Sequence, residues 1–346
     1  MNILLHLDPL DNDPDMIENR IDAYCQMAEE FILLGINPIL YTSTTNLPKI
    51  DSKMRNFEII SQSWQSAMGD EYKSLAYSNN LPSDVIREGI ENYNKISVQP
   101  DIIITNTPSA LIRKVWKKEL ILHYELGFFN RPPFPKFYQF DPIGFYHTSL
   151  LAKYPHIGED GTNSEINKLE CKKHSIMEAL GINNSDIGSV HATYIPLYSD
   201  SWASKLEYFY NEKIDLLLNY ASNNKNKLII TNERPQSPLS TIEKEKINSF
   251  KNISLIENED QYGLGSKLAL MCKHTHTFSP SIGLQSLFWG NELTTPIQSS
   301  MSNWAKLKDP IKKLSSYLTN FHIETYSNLI EKLPMLENFN PYNNHD

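Results

Sequence analysis

The run Asp101–Asn106, DIIITN, decides the class of the fold. Its middle residues are all β-branched and lie between polar ends, a pattern typical of a strand that is buried on both faces. Pro108 and Ser109 follow at once, and proline in the first turn is typical of a helix start. The sequence therefore predicts a strand that leads into a helix, the repeating unit of parallel α/β sheets.

The same alternation of strand and helix extends in both directions from this run. Towards the amino terminus, a strand over Asn2–Leu7 precedes a helix over Asp15–Leu34, and towards the carboxyl terminus the next strand is Leu120–Glu125. A second series begins with a helix over Ser164–Leu180 and includes a short apolar helix from Ser281, its predicted N-cap, to Trp289. Two further helices are predicted over Met301–Leu333. Alternation of this kind indicates parallel sheets covered by helices on both faces.

The chain of 346 residues is long enough for two domains. Its composition changes at the proline-rich and aromatic segment 127–135, which cannot be the interior of a helix. We predict an α/β protein with two Rossmann-like domains, 1–150 and 151–335, whose parallel sheets face a central cleft. Residues 336–346 are predicted to form a polar tail.

The composition excludes several classes of protein. With 40% hydrophobic and 21% charged residues, the chain is neither a coiled coil nor mostly disordered. The net charge of −9 argues against nucleic-acid binding over the whole sequence. No apolar run reaches the ~18 residues of a membrane span, and the first residues lack the basic region of a signal peptide. Three scattered cysteines indicate a reducing, cytoplasmic setting.

Ligands of open α/β domains bind beyond the carboxyl ends of the strands, which directs attention to the loops after strands. In Ser279–Gly290, hydroxyls lie where a strand turns into a helix, an arrangement that binds phosphate, although Ser281 alone would also serve as a cap. Gly283 allows a close backbone approach. Arg234 follows another strand and is either a phosphate or carboxylate ligand or a solvated loop residue.

Two carboxylates are candidates for proton transfer or nucleophilic attack. Glu125 ends an apolar strand, where burial is expected to raise its pKa and suit it to acid/base work; capping or a salt bridge is the alternative. Asp200 either caps the helix that follows it or points into the cleft. Two cleft carboxylates from opposite domains fit retaining glycosyl transfer. His274 and His276 are a close pair, but two histidines alone do not make a metal site, so no metal site is predicted.

Four segments, in this order, are similar to known motifs. Glu125–Arg131 resembles E-x-G-F-x-R with one extra residue, and Ser199–Ser201 resembles D-x-S. Arg234-Pro235 stands in the place of a His-Pro pair, and Ser279–Gly290 resembles S-S-x-x-G-x-E-A-L-x-x-G. The motifs are those of bacterial β-Kdo (3-deoxy-D-manno-octulosonic acid) transferases, which build capsule linkers and O-antigen chains.

The resemblance implies a GT-B glycosyltransferase fold and a CMP-β-Kdo donor, bound mainly by the C-terminal domain without a metal or other cofactor. It implies retention by double displacement, with Asp200 as nucleophile and Glu125 as acid/base. The donor-binding residues that it implies are Arg234, Ser279, Ser281, Gly283 and Gln285. Arg234 replaces a histidine and cannot exchange a proton near neutral pH, and Gln285 replaces a glutamate and lacks its charge.

The expected partners are a nucleotide-sugar donor and a glycan or lipid-linked glycan acceptor, the latter on the N-terminal domain, with no nucleic acid. Arg113–Lys118 is either a solvated helix end or a contact with an anionic membrane or with the acceptor, and a cytoplasmic location peripheral to the inner membrane is a further expectation. Membership of a larger polysaccharide-synthesis enzyme or complex is a further expectation. Two alternatives stay open: a GT-B transferase that uses CMP-sialic acid or a UDP-sugar, and a catalytically silent GT-B binding module.

Overall fold

The chain divides into two compact units. Unit 1 comprises Met1–Glu125, Tyr138–Phe145 and Ile323–Asp346, and unit 2 comprises Leu126–Phe137 and Tyr146–His322. The computed structural model describes every residue of the chain except 11–16, 52–55, 66–74, 77, 128–136, 146–147, 199–212, 235–236, 258–262, 297–298 and 342–346.

Strands and helices alternate through most of the described chain. In chain order the elements are β1 (Asn2–His6), α1 (Ile17–Leu33), β2 (Asn37–Ser43), α2 (Leu47–Asp51), β3 (Glu58–Gln62), α3 (Ser83–Tyr93), β4 (Ile102–Thr105), β5 (Leu120–Leu126), β6 (Tyr138–Asp141), α4 (Leu150–Ile157), α5 (Asn163–Leu180), β7 (Val190–Tyr194), α6 (Asp215–Asn223), β8 (Ile229–Asn232), α7 (Thr241–Asn248), β9 (Ile253–Ile256), α8 (Leu264–Met271), β10 (Cys272–His276), α9 (Pro280–Trp289), β11 (Glu292–Thr294), α10 (Ile311–Phe321), β12 (His322–Ile323) and α11 (Tyr326–Glu337).

Each unit is built on one sheet, and the two sheets share a strand order. The first sheet runs β12-β6-β5-β4-β1-β2-β3 and the second runs β11-β10-β7-β8-β9. The pairs β1–β2, β1–β4, β7–β8 and β7–β10 are all parallel. In both sheets the chain first adds two strands on one side of the opening strand and then crosses to its other side. This arrangement confirms the predicted α/β class with two Rossmann-like parallel sheets.

The crossing creates a topological switch point in each sheet. We use this name for the carboxyl ends of β1 and β4 in unit 1 and of β7 and β10 in unit 2. The connections that follow the two strands leave in opposite directions and open a crevice between them. Ligands of α/β sheets bind in such crevices.

The run Asp101–Asn106 contains the predicted strand, but the helix predicted after it is wrong. Ile102–Thr105 is β4 and is buried throughout. Residues 107–119 instead form turns and a 3-10 helix at Ile112–Lys114. The Arg113 guanidinium donates a hydrogen bond to the Glu119 carbonyl at 2.7 Å, which closes this short connection directly onto β5.

The carboxyl-terminal segment belongs to unit 1, whereas the sequence placed it with the second domain and a polar tail. The Tyr326 ring in α11 stacks on Tyr138 of β6, with 4.7 Å between centroids, and lies 5.8 Å from Phe31 of α1. Leu336 is fully buried, and Asn340 donates from its side chain to the Lys118 carbonyl. The boundaries predicted at 150 and 335 therefore differ from the observed division, because an apolar helix face returns to cover the first sheet.

Several helices begin and end at residues that signal these positions in the sequence. Thr162 and Glu165 form a reciprocal capping box at the start of α5, and Ser240 and Glu243 form another at the start of α7. Gly181 ends α5 in the left-handed conformation, with φ of 64°. Of the helices in the described residues, none combines the length and the apolar character needed to cross a membrane.

Candidate functional site

In unit 2 the ends of the two switch-point strands are held together by side chains. The Tyr198 hydroxyl and the Thr277 hydroxyl are hydrogen-bonded at 2.6 Å, and the Tyr198 ring stacks on Phe278 with 3.7 Å between centroids. All three side chains are buried. The chain therefore leaves β7 towards Asp200 and leaves β10 towards Ser279 from neighbouring positions.

The segment after β10 forms the predicted helix, but its cap differs from the prediction. Ser279 is the N-cap of α9 and Pro280 is its first residue, so Ser281 lies in the first turn and is not the cap. The Ser279 and Ser281 hydroxyls are 3.1 Å apart, and the Ser279 N–H donates to the Thr277 hydroxyl at 3.0 Å. The first N–H groups of a helix have no intrahelical acceptor and carry the positive end of its dipole. This end of α9, with two hydroxyls beside it, is suited to an anion.

Gly283 and Gln285 lie on the buried part of α9. A Cβ on Gly283 would come within 3.0 Å of the Met301 Cε atom, so the close approach predicted at this glycine is made by Met301. Gln285 is only 4% exposed. Both residues therefore belong to the packing of the helix whose amino end carries the hydroxyls.

Arg234 lies in a short loop after β8 that is tied to the switch-point strand β7. The Tyr194 hydroxyl of β7 donates to Asn232 Oδ1 at 2.8 Å, at the end of β8. Ser237 donates from its N–H to the Arg234 carbonyl at 3.1 Å, which turns the chain back. Burial raises the pKa of Tyr194 well above its usual range, and the Arg234 charge opposes that shift. The guanidinium is therefore within electrostatic reach of the Tyr194 side chain.

The two predicted catalytic carboxylates have different outcomes. Glu125 is the last residue but one of β5, as predicted, yet its side chain is exposed. Glu125 was expected to suit proton transfer because it would be buried, and this burial is absent. Asp200 lies outside the described residues, and its role as nucleophile stays a prediction.

Unit 1 carries a buried polar network at its own switch point, which the sequence analysis missed. The Thr107 hydroxyl donates to Asp8 Oδ2 at 2.6 Å, and the Leu10 N–H donates to Asp8 Oδ1 at 2.9 Å. His6 is hydrogen-bonded to the hydroxyls of Thr105 at 3.2 Å and Tyr93 at 2.8 Å. The position of Asp8 directly after a buried strand was the signal that could have identified it, because the same signal selected Glu125.

His274 and His276 lie on one face of β10, as their spacing predicts, and share a hydroxyl. His274 Nε2 and His276 Nδ1 are each 2.8 Å from Thr294 Oγ1. One hydroxyl can donate only one hydrogen bond, so at least one of these nitrogens must donate. Burial lowers the pKa of His276 to about 4, with the charges of His274 and Lys227 adding to the effect. Among the described histidines, cysteines and acidic residues, no group of three or more is placed to hold a metal ion.

No family model matches the chain, and no curated protein matches it. Its similar solved structures include KpsC, beta Kdo 2,7 transferase, of Thermosulfurimonas dismutans, with 13% identity and a TM-score of 0.47 over 79% of this chain and 98% of that one. The beta Kdo 2,4 transferase KpsC of the same organism has 14% identity and a TM-score of 0.43 over 63% and 79%. The calicheamicin glycosyltransferase CalG4 has 11% identity and a TM-score of 0.36 over 98% of both chains. All three likenesses have TM-scores below 0.5, and the strand order of the two sheets identifies the fold.

Proposed function

We propose that the protein is a GT-B glycosyltransferase whose second unit binds the nucleotide-sugar donor. One observation carries the proposal: Ser279 and Ser281, chosen from the sequence as phosphate ligands, lie at the amino end of α9, directly after β10 at the switch point of unit 2. Arg234 follows β8, whose end is bonded to the other switch-point strand through Tyr194. Hydroxyls, helix N–H groups and a guanidinium are the groups with which proteins bind phosphate.

Within this class, we propose CMP-β-Kdo as the donor and a glycan or glycolipid of the bacterial surface as the acceptor. The support is the order of four sequence segments that resemble β-Kdo transferases, from Glu125–Arg131 to Ser279–Gly290.

The proposed reaction retains the anomeric configuration through two displacements. In the first, an oxygen of Asp200 forms a bond to the anomeric carbon of Kdo, and the bond from that carbon to the CMP phosphate breaks. In the second, the acceptor hydroxyl oxygen replaces Asp200, and Glu125 takes the hydroxyl proton. Ser279, Ser281 and Arg234 stabilise the departing phosphate, so the proposal requires no metal.

The test is a comparison of thermal unfolding with CMP, UDP, GDP and buffer. A ligand at a hundred times its dissociation constant adds about 2.7 kcal/mol to the free energy of unfolding, which gives a readily measured shift. Stabilisation by CMP alone supports the proposed donor. Stabilisation by UDP or GDP would keep the class of enzyme and overturn the donor.

A catalytically silent binding module is the second candidate, because three observations favour it. Arg234 stands where the resembled family has a proton-exchanging histidine, Gln285 lacks the charge of a glutamate, and Glu125 is exposed. The two candidates differ in turnover. With CMP-Kdo generated in situ and a Kdo-acceptor panel, release of CMP at a rate above that of a boiled sample supports the enzyme, whereas CMP binding without release of CMP supports the module.

A further inference from the structure

The residue before Arg234 is a buried carboxylate with a defined set of partners. Glu233 is 8% exposed, and its backbone N–H donates to the Ile256 carbonyl of β9 at 3.1 Å. Glu233 Oε1 accepts a hydrogen bond from the Leu239 N–H at 2.7 Å, and Glu233 Oε2 lies 3.3 Å from Lys244 Nζ. A charge is buried at acceptable cost only when it is paired and hydrogen-bonded, and Glu233 meets both conditions.

These contacts close the loop that carries Arg234 at both of its ends. The Glu233 backbone holds the start of the loop on β9, and its side chain holds the end of the loop at Leu239. Between these points, Ser237 donates to the Arg234 carbonyl. The Glu233 side chain, together with Lys213, whose Nζ donates to the Pro238 carbonyl at 2.8 Å, thus limits the positions that the backbone of Arg234 can take. This reduces the entropy lost when the guanidinium engages a ligand.

Lys244 pairs with the Glu233 carboxylate, so this carboxylate does not place an unpaired negative charge next to Arg234. An unpaired carboxylate next to Arg234 would repel a phosphate at the same site. Lys244 Nζ, which also binds Glu257 at 2.9 Å, pairs with Glu233 from the side of α7. Glu233 can therefore order the loop with its own charge paired to Lys244.

We propose that Glu233 is a positioning residue for the donor phosphate and acts by fixing the Arg234 loop. This inference rests on the proposed function, because it assigns the phosphate of the nucleotide to Arg234. It predicts that Glu233 affects the binding of the phosphate and not that of the nucleoside.

The experiment compares CMP with cytidine by isothermal titration calorimetry on the full chain. We expect Arg234→Ala and Glu233→Ala each to weaken CMP binding about tenfold, equivalent to ~1.4 kcal/mol, and to leave cytidine binding unchanged. The double variant should bind CMP no more weakly than Arg234→Ala, because both changes remove the same interaction. Glu233→Gln should recover most of the affinity, since an amide oxygen still accepts from Leu239.

Two further variants guard against a purely structural effect. Glu257→Ala removes the other partner of Lys244 and should leave CMP binding as in the wild type. Glu233→Asp keeps the charge but is one methylene too short to reach Leu239, so it should weaken CMP binding. This variant decides the question if Glu233→Ala does not fold.

Each other outcome overturns the inference in a recognisable way. Loss of CMP affinity in Arg234→Ala but not in Glu233→Ala or Glu233→Asp refutes the positioning role and leaves the proposed function intact. Equal weakening of CMP binding and cytidine binding would show that Glu233 has only a structural role. A wild-type protein that binds no nucleotide refutes the proposed function and this inference together.

Discussion

The two units share a strand order, but their switch points offer opposite chemistry. In unit 2, β10 leads directly into the ten-residue helix α9, whose amino end carries two hydroxyls. In unit 1, the equivalent strand β4 leads into turns, and a buried carboxylate, Asp8, is hydrogen-bonded between the strand ends. One switch point therefore favours an anion and the other disfavours it. Topology places the site, and the residues at the strand ends decide what it can bind.

The titratable residues around each switch point reflect the same difference. In unit 1, burial raises the pKa of Tyr93 well above its usual range, and the charge of Asp8 adds to that shift. In unit 2, burial raises the pKa of Tyr194 in the same way, but the charge of Arg234 acts against it. The two units thus surround similar buried tyrosines with charges of opposite sign.

The largest expected effect tests whether unit 2 carries the chemistry. If Asp200 is the nucleophile, Asp200→Ala should lower the rate of Kdo transfer by at least ~10³-fold, as removal of a covalent catalyst does. Rates of CMP release with donor and acceptor present measure the effect. Asp215→Ala removes a carboxylate at the start of α6 and is the control. An Asp200→Ala protein with the wild-type rate would refute the assignment.

The second prediction concerns acid stability and His123 of unit 1. Burial lowers the pKa of His123 to about 4, against 6.5 in the unfolded chain. The folded state therefore binds fewer protons than the unfolded state between these values, so stability falls as the pH drops from 6.5 towards 4. The shift corresponds to about 3 kcal/mol for this fully buried group.

Urea unfolding at pH 7 and pH 4.5 measures this contribution. His123 Nδ1 is 3.0 Å from the Asp141 carbonyl, and His123→Asn keeps a donor for that carbonyl while removing the titration. We expect a smaller loss of stability on acidification in this variant than in the wild type. An unchanged loss would assign the acid sensitivity to other groups, such as His276 in unit 2.

A third prediction concerns the packing of α9 against Met301. Gly283→Ala would bring the new methyl group within 3.0–3.1 Å of Met301. Overpacking of this kind should lower the free energy of unfolding by about 2 kcal/mol. Met301→Ala combined with Gly283→Ala should recover part of that loss relative to the sum of the two single variants. A Gly283→Ala protein as stable as the wild type would show that Met301 moves aside at no cost.

The smallest predicted effect tests whether the switch point of unit 1 is independent of donor binding in unit 2. Thr107→Val removes the hydrogen bond to the buried Asp8 and should cost about 1.5 kcal/mol of stability, because a charged acceptor loses a partner. The same variant should leave CMP affinity unchanged, since the donor is proposed to bind unit 2. Thermal unfolding and calorimetry measure the two quantities. A loss of CMP affinity in Thr107→Val would contradict the separation of the two sites.

The fold was largely predictable from local patterns, but the candidate site was predictable only in part. The β-branched run at Ile102–Thr105 forms a buried strand because consecutive apolar residues have no other stable environment. Ser279 and Ser281 were found because a strand followed by hydroxyls and an apolar helix is itself a local pattern. Asp8 has the same local signal as Glu125, a position at the end of a buried strand, but its hydrogen bond to Thr107, a residue far away in sequence, is not visible in any local pattern.

The local order of residue types is enough to predict the alternation of strands and helices and the segments that carry the candidate donor ligands. These features depend on hydrogen bonds and burial within a few residues, which the pattern of residue types records. Three features emerge only when the chain is folded: Glu125 is exposed, residues 107–119 form turns and a short 3-10 helix, and α11 covers unit 1. These features depend on contacts between distant segments, whose partners no local pattern specifies.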